Sequence, residues 1–482
     1  EAQMRTFNNF IWRFAQTEGN YNFSSGSRGK GNLSSEANPY FLFPQIYNFR
    51  YNIFSSEWPV ANRVIELYLQ KKSENGGWER QINGISNNEK AVLLLEKRTF
   101  KELLVDMELR NLQNNIVGQE ASRLFARAEI NMGVEAFRDS LYSLLKRNTF
   151  LNIKFENMLD TLGEISRTDI RSLLGEWEKT TPLPFYSLGE PTLTKITNKG
   201  GEEFFVLKML ISNNSDYDGI IHMDIRKDGW WYQPLEDPRA KTKIEMPAHT
   251  SKEFVSVWED QIRNVEINTM VSGNLPNIIS QDINNVKQER NKIVKDSIYI
   301  LPESSFDLPG EIIVDNEDST LFILSAPPIV GLLPKWLDEV EETPFKYSGI
   351  SWWRPPLQWT ATTNDRYYGK YIRSAFVIKS GDGSQTATWK VPVPEVGQYD
   401  LYYHVFKDDE LRWNNNLQGE YHFKVKYGSE VEDAYVNLRK ANEGWEQLGS
   451  YYFDSDTIRV VLTDECKLRS VTADAVKIVK RY

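Results

Sequence analysis

The sequence predicts a multidomain α+β protein made of an α-helical segment, a β-sandwich and a C-terminal β jelly-roll sandwich. The chain has 482 residues, which is too long for a single hydrophobic core. Its apolar residues recur with a helical period from about residue 100 to residue 181 and with a strand-like pattern after residue 191. We therefore expect a mixed N-terminal region at 1–98, helices at 99–185, a sandwich with a linker at 186–300 and the jelly roll at 301–482.

The helical segment is predicted from two apolar stripes. Residues at helical spacing share one face in each of two runs, namely Val134, Phe137, Leu141 and Leu145 in the first and Ile170, Leu173, Leu174 and Trp177 in the second. Pro182 and Pro184 end the second run, because proline cannot continue a helix.

The β-sandwich is predicted from short apolar runs separated by turn-forming residues. These runs lie at 203–211, 220–225, 241–246 and 254–258. Asn213 and Asn214 follow the first run, and Asp218 and Gly219 precede the second, which is the spacing expected of a sandwich. The charged stretch at 284–296 is predicted to be a helix or a linker.

The C-terminal sandwich is predicted from strict alternation. At 420–427, Tyr421, Phe423, Val425 and Tyr427 alternate with charged residues and a histidine, which indicates a strand with one face in water. Further strands are predicted at 386–391, 399–406, 457–462 and 475–479.

The charge balance argues against nucleic acid as a partner. The formal net charge is −10, from 57 basic and 67 acidic residues, and no Lys/Arg cluster offers a phosphate-binding stripe. The longest apolar stretch, 321–334, contains prolines and is too short to cross a bilayer. We expect membrane association only through segments outside this chain.

No catalytic residue is predicted. His222, His249, His404 and His422 lack the His-Glu-x-x-His and Cys/His spacings that form zinc sites, so no zinc is expected. Cys466 follows two acidic residues, which disfavour a reactive thiolate, and no nucleophile elbow occurs. A carboxylate pair for glycoside cleavage stays open, because its spacing is three-dimensional.

Two clusters are candidates for binding. Six aromatic residues could stack on sugars or anchor a protein, although large aromatic residues also build cores; they are Trp352, Trp353, Trp359, Tyr367, Tyr368 and Tyr371. Asp315, Glu317 and Asp318 could bind calcium, the one cofactor considered; a plain charged turn is the alternative, because the EF-hand pattern is missing.

The middle of the chain resembles two families. The region after the zinc domain of aminopeptidase N type gluzincins is similar to the segments 118–121, 133–138, 148–150 and 175–184. ABC transporter permeases fused to peptidase-like extracytoplasmic domains resemble the segments 58–63 and 85–91. The zinc motif of the gluzincins and its downstream glutamate have no counterpart here, so no catalytic residue is carried over.

The last region resembles the golvesin C-terminal domain, which also occurs in xanthan lyases and is called carbohydrate-binding-like. The resemblance is carried by the segments 312–318, 367–371, 387–389, 397–402 and 473–477. It implies a jelly-roll sandwich and leaves the ligand open.

These resemblances imply a non-catalytic, extracytoplasmic binding region of a bacterial cell-envelope protein associated with transport and similar to peptidases. We expect it in the periplasm or at the cell surface, either free or within a membrane protein, with a glycan or an envelope protein as partner. Two alternatives stay open. The chain could hold accessory domains of a zinc aminopeptidase whose catalytic domain is absent here, or it could be a structural spacer.

Overall fold

The computed structural model describes residues 51–69, 77–148, 151–227, 233–283, 285–290, 294–302, 306, 310–325, 345–351, 354–407 and 419–481. This part of the chain is mostly β-sheet, with several sheets and a few helices, which is consistent with a β-rich multidomain fold. It forms two compact units, the described residues of 51–69 with 101–175 and those of 77–100 with 176–481. Within the described ranges, every helix is too short or too polar to traverse a bilayer.

The helices are α1 Ala61–Leu69, α2 Gly77–Asn83, α3 Asn87–Lys97, α4 Phe100–Leu104, α5 Gln113–Met132, α6 Val134–Arg147 and α7 Phe155–Ser166, with 3-10 helices at Arg171–Glu178 and Pro238–Ala240. Helices thus precede residue 99 as well as follow it. The capping box of Ser86 and Glu89, which starts α3, is the local signal for this.

The strands before residue 303 are β1 Tyr51–Phe54, β2 Leu151–Lys154, β3 Tyr186–Leu188, β4 Thr192–Thr197, β5 Glu203–Asn213, β6 Gly219–Lys227, β7 Gln233–Pro234, β8 Lys241–Met246, β9 Thr250–Trp258, β10 Ile262–Asn268, β11 Ile278–Asp282, β12 Val286–Arg290 and β13 Ser297–Pro302. The later strands are β14 Glu311–Val314, β15 Phe322–Leu324, β16 Thr360–Thr363, β17 Ser374–Lys379, β18 Thr386–Pro392, β19 Gly397–Val405, β20 Glu420–Tyr427, β21 Glu430–Asn437, β22 Gly444–Phe453, β23 Thr457–Thr463, β24 Ser470–Ala473 and β25 Val476–Lys480.

The first unit is a helical core with one parallel strand pair. The rings of Tyr68 and Phe125 lie 4.7 Å apart and those of Phe125 and Phe137 lie 5.5 Å apart. Tyr68 donates a buried hydrogen bond of 2.8 Å to Glu129. The apolar stripe predicted at 134–145 is confirmed, since Phe137, Leu141 and Leu145 are buried along α6.

The first sandwich of the second unit consists of two sheets. One has the order β11-β10-β6-β7, with β8 also pairing with β6, and the other has the order β12-β4-β5-β9-β13, with β3 pairing with β5. Residues from both sheets share one core, which includes Leu207, Met223 and Val265. The four strands predicted from turn-bounded apolar runs lie within β5, β6, β8 and β9.

Two sequence-based expectations are wrong in detail. The stretch 286–290, expected to be a helix or linker, is strand β12, because pairing in parallel with β4 satisfies its backbone hydrogen bonds. The second helical run forms a 3-10 helix over Arg171–Glu178, where the Asp169 carboxylate accepts the N–H of Ser172 at 3.1 Å.

The C-terminal sandwich is built from a sheet of order β14-β25-β19-β22 and a sheet of order β15-β18-β23-β20-β21. Both contribute to a core that includes Trp389, Tyr403 and Phe423. A third sheet, β16-β17-β24, lies in the same part of the chain. The sandwich is therefore confirmed, whereas its jelly-roll connectivity stays a prediction.

Glu89 joins three parts of the second unit. Its buried carboxylate accepts hydrogen bonds from the backbone N–H of Ser86 at 2.6 Å, from Arg80 at 2.7 Å and from the backbone N–H of Asn277 at 2.9 Å. Helix α3 is thereby fixed to the loop that follows β10. Removing one partner of such a charge-assisted network lowers the stability of the fold, because the remaining buried groups lose their hydrogen bonds.

Replacing Glu89 with alanine is expected to lower the free energy of unfolding by about 3–5 kcal/mol, because Arg80 and two buried N–H groups would lose their acceptor. Urea titration followed by tryptophan fluorescence measures the loss. Glu89→Gln keeps an acceptor of the same shape and should lose less. Equal losses in the two variants would show that the buried charge contributes nothing.

Candidate functional site

A buried carboxylate, Asp474, lies between β24 and β25 and contacts three other segments. His404 Nδ1 lies 2.8 Å from its Oδ2 atom, and the backbone N–H of Tyr368 donates to the carboxylate at 3.2 Å. The indole N–H of Trp389 donates to the Asp474 carbonyl at 3.2 Å. Asp474 therefore fixes a strand residue, His404, and a loop residue, Tyr368.

The surroundings of Asp474 are electrostatically costly. Burial raises the pKa of Asp474, and the neighbouring His404 opposes that rise. Burial, and next the charge of Asp474, raises the pKa of the Asp315 carboxyl well above its usual range. Burial lowers the pKa of the Arg373 guanidinium. Burial therefore disfavours the charged form of all three groups, and the contact with His404 partly offsets this cost for Asp474.

Five side chains next to Asp474 form what we call the Trp445 face, namely Tyr368, Tyr402, His404, Trp445 and Lys477. The strand register brings four of them together. His404 on β19 lies opposite Trp445 on β22, and Tyr402 lies opposite Lys477 on β25. Because Tyr402 and His404 are two residues apart, all four point to the same side of the sheet, away from the core residue Tyr403.

The rings of the Trp445 face are in mutual contact. Their centroids are 5.1 Å apart for Tyr368 and Trp445, 5.2 Å for His404 and Trp445, and 5.8 Å for Tyr368 and His404. All three side chains are half-buried. Tilted and edge-on contacts of this kind restrict the ring orientations, so the face is preorganised.

Lys477 supplies the cationic part of the face. Its ammonium lies 4.9 Å from the ring centroid of Trp445 and 5.3 Å from that of Tyr402, and 2.9 Å from a carboxylate oxygen of Glu311. The Glu311 contact and the two cation–π contacts hold the amine over the sheet. Lysine and histidine N–H groups beside aromatic rings can donate to hydroxyl oxygens.

A pocket of about 450 Å³ opens elsewhere in the second unit, between the first sandwich, helix α2 and the C-terminal sandwich. Its walls carry hydroxyl, amide and charged groups together with a few apolar residues; they include Arg80, Arg226, Glu266, Ile278, Ser280, Thr362, Asn364, Arg366, Tyr367, Val377 and Thr472. Its volume lies within the range of small-molecule sites.

The structure places the predicted aromatic residues in different surroundings. Trp352 and Trp353 lie outside the described residues. Trp359 packs against the C-terminal core, and its indole N–H is buried without a hydrogen-bond partner among the described residues. Tyr367 is buried against Phe406, with ring centroids 4.5 Å apart, and lines the pocket.

The other two aromatic candidates are separated as well. Tyr368 belongs to the Trp445 face, whereas the Tyr371 ring lies 5.4 Å from that of Phe185. The structure therefore brings one predicted residue, Tyr368, together with four that sequence reasoning did not select. The alternation along 397–405 was a usable signal, because it places Tyr402 and His404 on one face, but their partners Trp445 and Lys477 depend on strand pairing.

The predicted calcium ligands form a hydrogen-bonded turn. The backbone N–H of Asp315 donates to Asp318 at 2.9 Å. Glu317 accepts hydrogen bonds from Tyr347 at 3.1 Å and from Ser374, and lies 2.5 Å from the ammonium of Lys346. Across the described ranges, no group of three or more His, Cys, Asp or Glu residues is arranged to hold a metal ion.

Residues 355–480 match the family profile of the Golvesin C-terminal domain. This range contains all five residues of the Trp445 face, and it ends at Lys480, the last residue of β25. The match covers a minority of the chain, so it identifies this domain rather than the whole protein. No curated protein sequence matches the chain.

Three solved structures are similar in parts. A structure of TmCBM61 in complex with beta-1,4-galactotriose has 16% identity and a TM-score of 0.15, over 25% of this chain and 77% of that one. A Bacteroides uniformis beta-glucuronidase has 10% identity and a TM-score of 0.18, over 62% and 30% of the two chains. Bacteroides uniformis beta-glucuronidase 2, covalently bound to cyclophellitol-6-carboxylate aziridine, has 12% identity and a TM-score of 0.18, over 72% and 38%.

The chain spans about a third of the length of each glucuronidase structure. TM-scores of this size carry no argument about fold or ligand. The match to the golvesin profile is therefore the comparison that bears on this chain.

Replacing Asp315 with asparagine is expected to stabilise the protein at pH 7, because the folded state disfavours the charged carboxylate. A carboxyl whose folded pKa is raised binds more protons folded than unfolded, so stability falls as pH rises from its unfolded pKa through its folded pKa. The gain from Asp315→Asn should therefore shrink toward pH 4. Thermal unfolding between pH 4 and pH 8 measures it.

The exposed Asp456 offers a control, since Asp456→Asn should change stability little at any pH in that range. A destabilised Asp315→Asn protein at pH 7, or a gain that grows toward acid pH, would contradict the buried-carboxyl account.

Millimolar calcium is expected to leave the Tm of the protein unchanged, because protein donors already occupy Glu317 and burial favours the neutral form of Asp315. Differential scanning fluorimetry with calcium, and with magnesium as the control cation, measures this. A calcium-specific rise in Tm that Asp318→Asn removes would instead identify a calcium site at the turn.

Proposed function

We propose that the C-terminal sandwich binds a glycan and that the Trp445 face is its contact surface. The observation that carries the proposal is the preorganised group of Tyr368, His404 and Trp445, tied to the buried Asp474 inside the domain that matches the golvesin family. Aromatic rings stack on the apolar faces of sugars, while neighbouring N–H groups donate to their hydroxyl oxygens.

His404 is suited to a polar contact with such a ligand. Its Nδ1 atom is engaged by Asp474, and among the described residues its Nε2 atom has no hydrogen-bond partner. The Asp474 carboxylate fixes the orientation of the ring, as carboxylates do for histidines in many sites. Because the ring is fixed beside Tyr368 and Trp445, its Nε2 atom can form a hydrogen bond with a sugar hydroxyl in one defined orientation.

Binding is favoured over catalysis by the burial of the acidic group. The carboxylate next to His404 is Asp474, which is fully buried and therefore out of reach of a substrate. General acid–base chemistry on a glycan needs two groups that reach the substrate. We accordingly treat His404 as a binding residue.

The wider setting of the chain is proposed from sequence resemblance. An extracytoplasmic location at the cell envelope, and an association with a transporter or a peptidase-like protein, are consistent with a glycan-binding domain. Fractionation of the native host, with an antibody to this chain, would locate the protein. Recovery in the cytoplasmic fraction would contradict the envelope proposal.

A glycan array with the whole chain is expected to give discrete hits that Trp445→Ala weakens roughly five- to thirtyfold, because a stacked aromatic contributes roughly 1–2 kcal/mol to affinity. Tyr452 is a matched control, since it lies on the same strand, is 60% exposed and does not belong to the Trp445 face. Tyr452→Ala should therefore keep the affinity.

Circular dichroism of each variant separates lost binding from lost folding. A silent array with a folded protein would support a spacer or a protein-binding role. Hits that are lost in Trp352→Ala, Trp353→Ala or Trp359→Ala but kept in Trp445→Ala would place the sugar on the aromatic residues selected from sequence.

A further inference from the structure

We infer that the pocket between the first sandwich and the C-terminal sandwich is a separate binding site for a small, neutral, polyhydroxylated molecule, a monosaccharide or disaccharide. This inference goes beyond the proposed glycan-binding face, because it depends on a different set of residues. It stands on the rigidity of the pocket walls, the pairing of the charges that line them, and the hydroxyl groups between those charges.

The walls of the pocket are fixed to one another by hydrogen bonds. Thr363 on β16 donates its hydroxyl to the carbonyl of Gly84, beside helix α2, at 2.6 Å. The backbone N–H of Arg373 donates to the carbonyl of Leu275 at 2.6 Å, and the N–H of Leu275 donates to the carbonyl of Tyr371 at 3.0 Å. The pocket is therefore a preformed cavity of this unit rather than a gap between loosely joined domains.

The arginines of the pocket already have acidic partners. Arg226 Nη2 lies 3.1 Å from Asp224 and 2.8 Å from Glu266. Arg80 lies 2.7 Å from the buried Glu89. An anionic ligand would have to displace these carboxylates, and a cationic ligand would face the guanidinium groups, so neither sign of charge is favoured.

Arg366 also has an acidic partner. Its Nη1 atom lies 3.2 Å from Glu443 and donates to the carbonyl of Lys407 at 2.9 Å. The guanidinium also lies 4.6 Å from the ring centroid of Phe406. The fifth charged residue of the lining, Asp365, interacts electrostatically with Arg373. Each charged group of the lining thus has a partner of opposite sign within the protein, which favours an uncharged ligand.

The rest of the lining suits a sugar. Its hydroxyl and amide groups come from Ser280, Thr362, Thr472 and Asn364. Its apolar surface includes Ile278 and Val377. Hydroxyl and amide groups both donate and accept, which matches the dual character of sugar hydroxyls, and the apolar patches can cover sugar C–H groups. A pocket of about 450 Å³ has room for one or two sugar rings.

The test titrates the whole chain with neutral hexoses and disaccharides, with hexuronates and with hexosamines, followed by saturation-transfer NMR and calorimetry. We expect binding of neutral saccharides and at least tenfold weaker binding of the charged ones. Ser280 is exposed at the pocket wall, so Ser280→Trp should block the pocket and weaken neutral-saccharide binding at least tenfold. Ser319→Trp, at an exposed position outside the pocket, should not.

Thr362→Val provides a second test that keeps the shape of the wall, since it exchanges only a hydroxyl for a methyl group; a severalfold loss of affinity is expected. Binding that Ser280→Trp leaves unchanged, or a preference for hexuronates, would overturn the inference. Trp445→Ala separates the two proposals, because it should leave binding at the pocket intact while it weakens the array hits. Array hits without any binding of small saccharides would support glycan binding at the Trp445 face and would contradict saccharide binding in the pocket.

Discussion

The arrangement of the C-terminal sandwich depends on burying one carboxylate. Asp474 is fully buried, and burial raises its pKa, so its presence there has to be compensated by polar contacts. Those contacts come from His404 on β19 and from the backbone of Tyr368. The need to satisfy a buried acid therefore positions the two residues that, with Trp445, make up the centre of the candidate face.

The same principle organises the rest of the second unit. Glu89 is another buried acid, and it gathers Arg80, the start of α3 and the backbone of Asn277. Around the pocket, Arg226 and Arg366 are held by Glu266 and Glu443. Charged groups that pair with one another in this way hold the walls of the pocket in a fixed arrangement.

Local sequence patterns predicted the strands well and the site poorly. Turn-bounded apolar runs were enough to find β5 and β8, and alternation was enough to find β20, because each strand has residues buried in a core. The charged strand β12 was missed, because its residues show no apolar period. The strand is recognisable only from its parallel pairing with β4. The Trp445 face could be predicted only in part, because the contact of Tyr402 with Lys477 and of His404 with Trp445 arises from register between strands that are far apart in sequence.

Asp474 holds the Tyr368 loop against the sheet, and amide hydrogen exchange of Tyr368 measures whether it does so. The Tyr368 N–H should exchange slowly, at a rate similar to that of the β19 core amides, and Asp474→Ala should accelerate its exchange well beyond that of the β20 amides. Rapid exchange of the Tyr368 amide in the unmodified protein would show that Asp474 does not hold this loop.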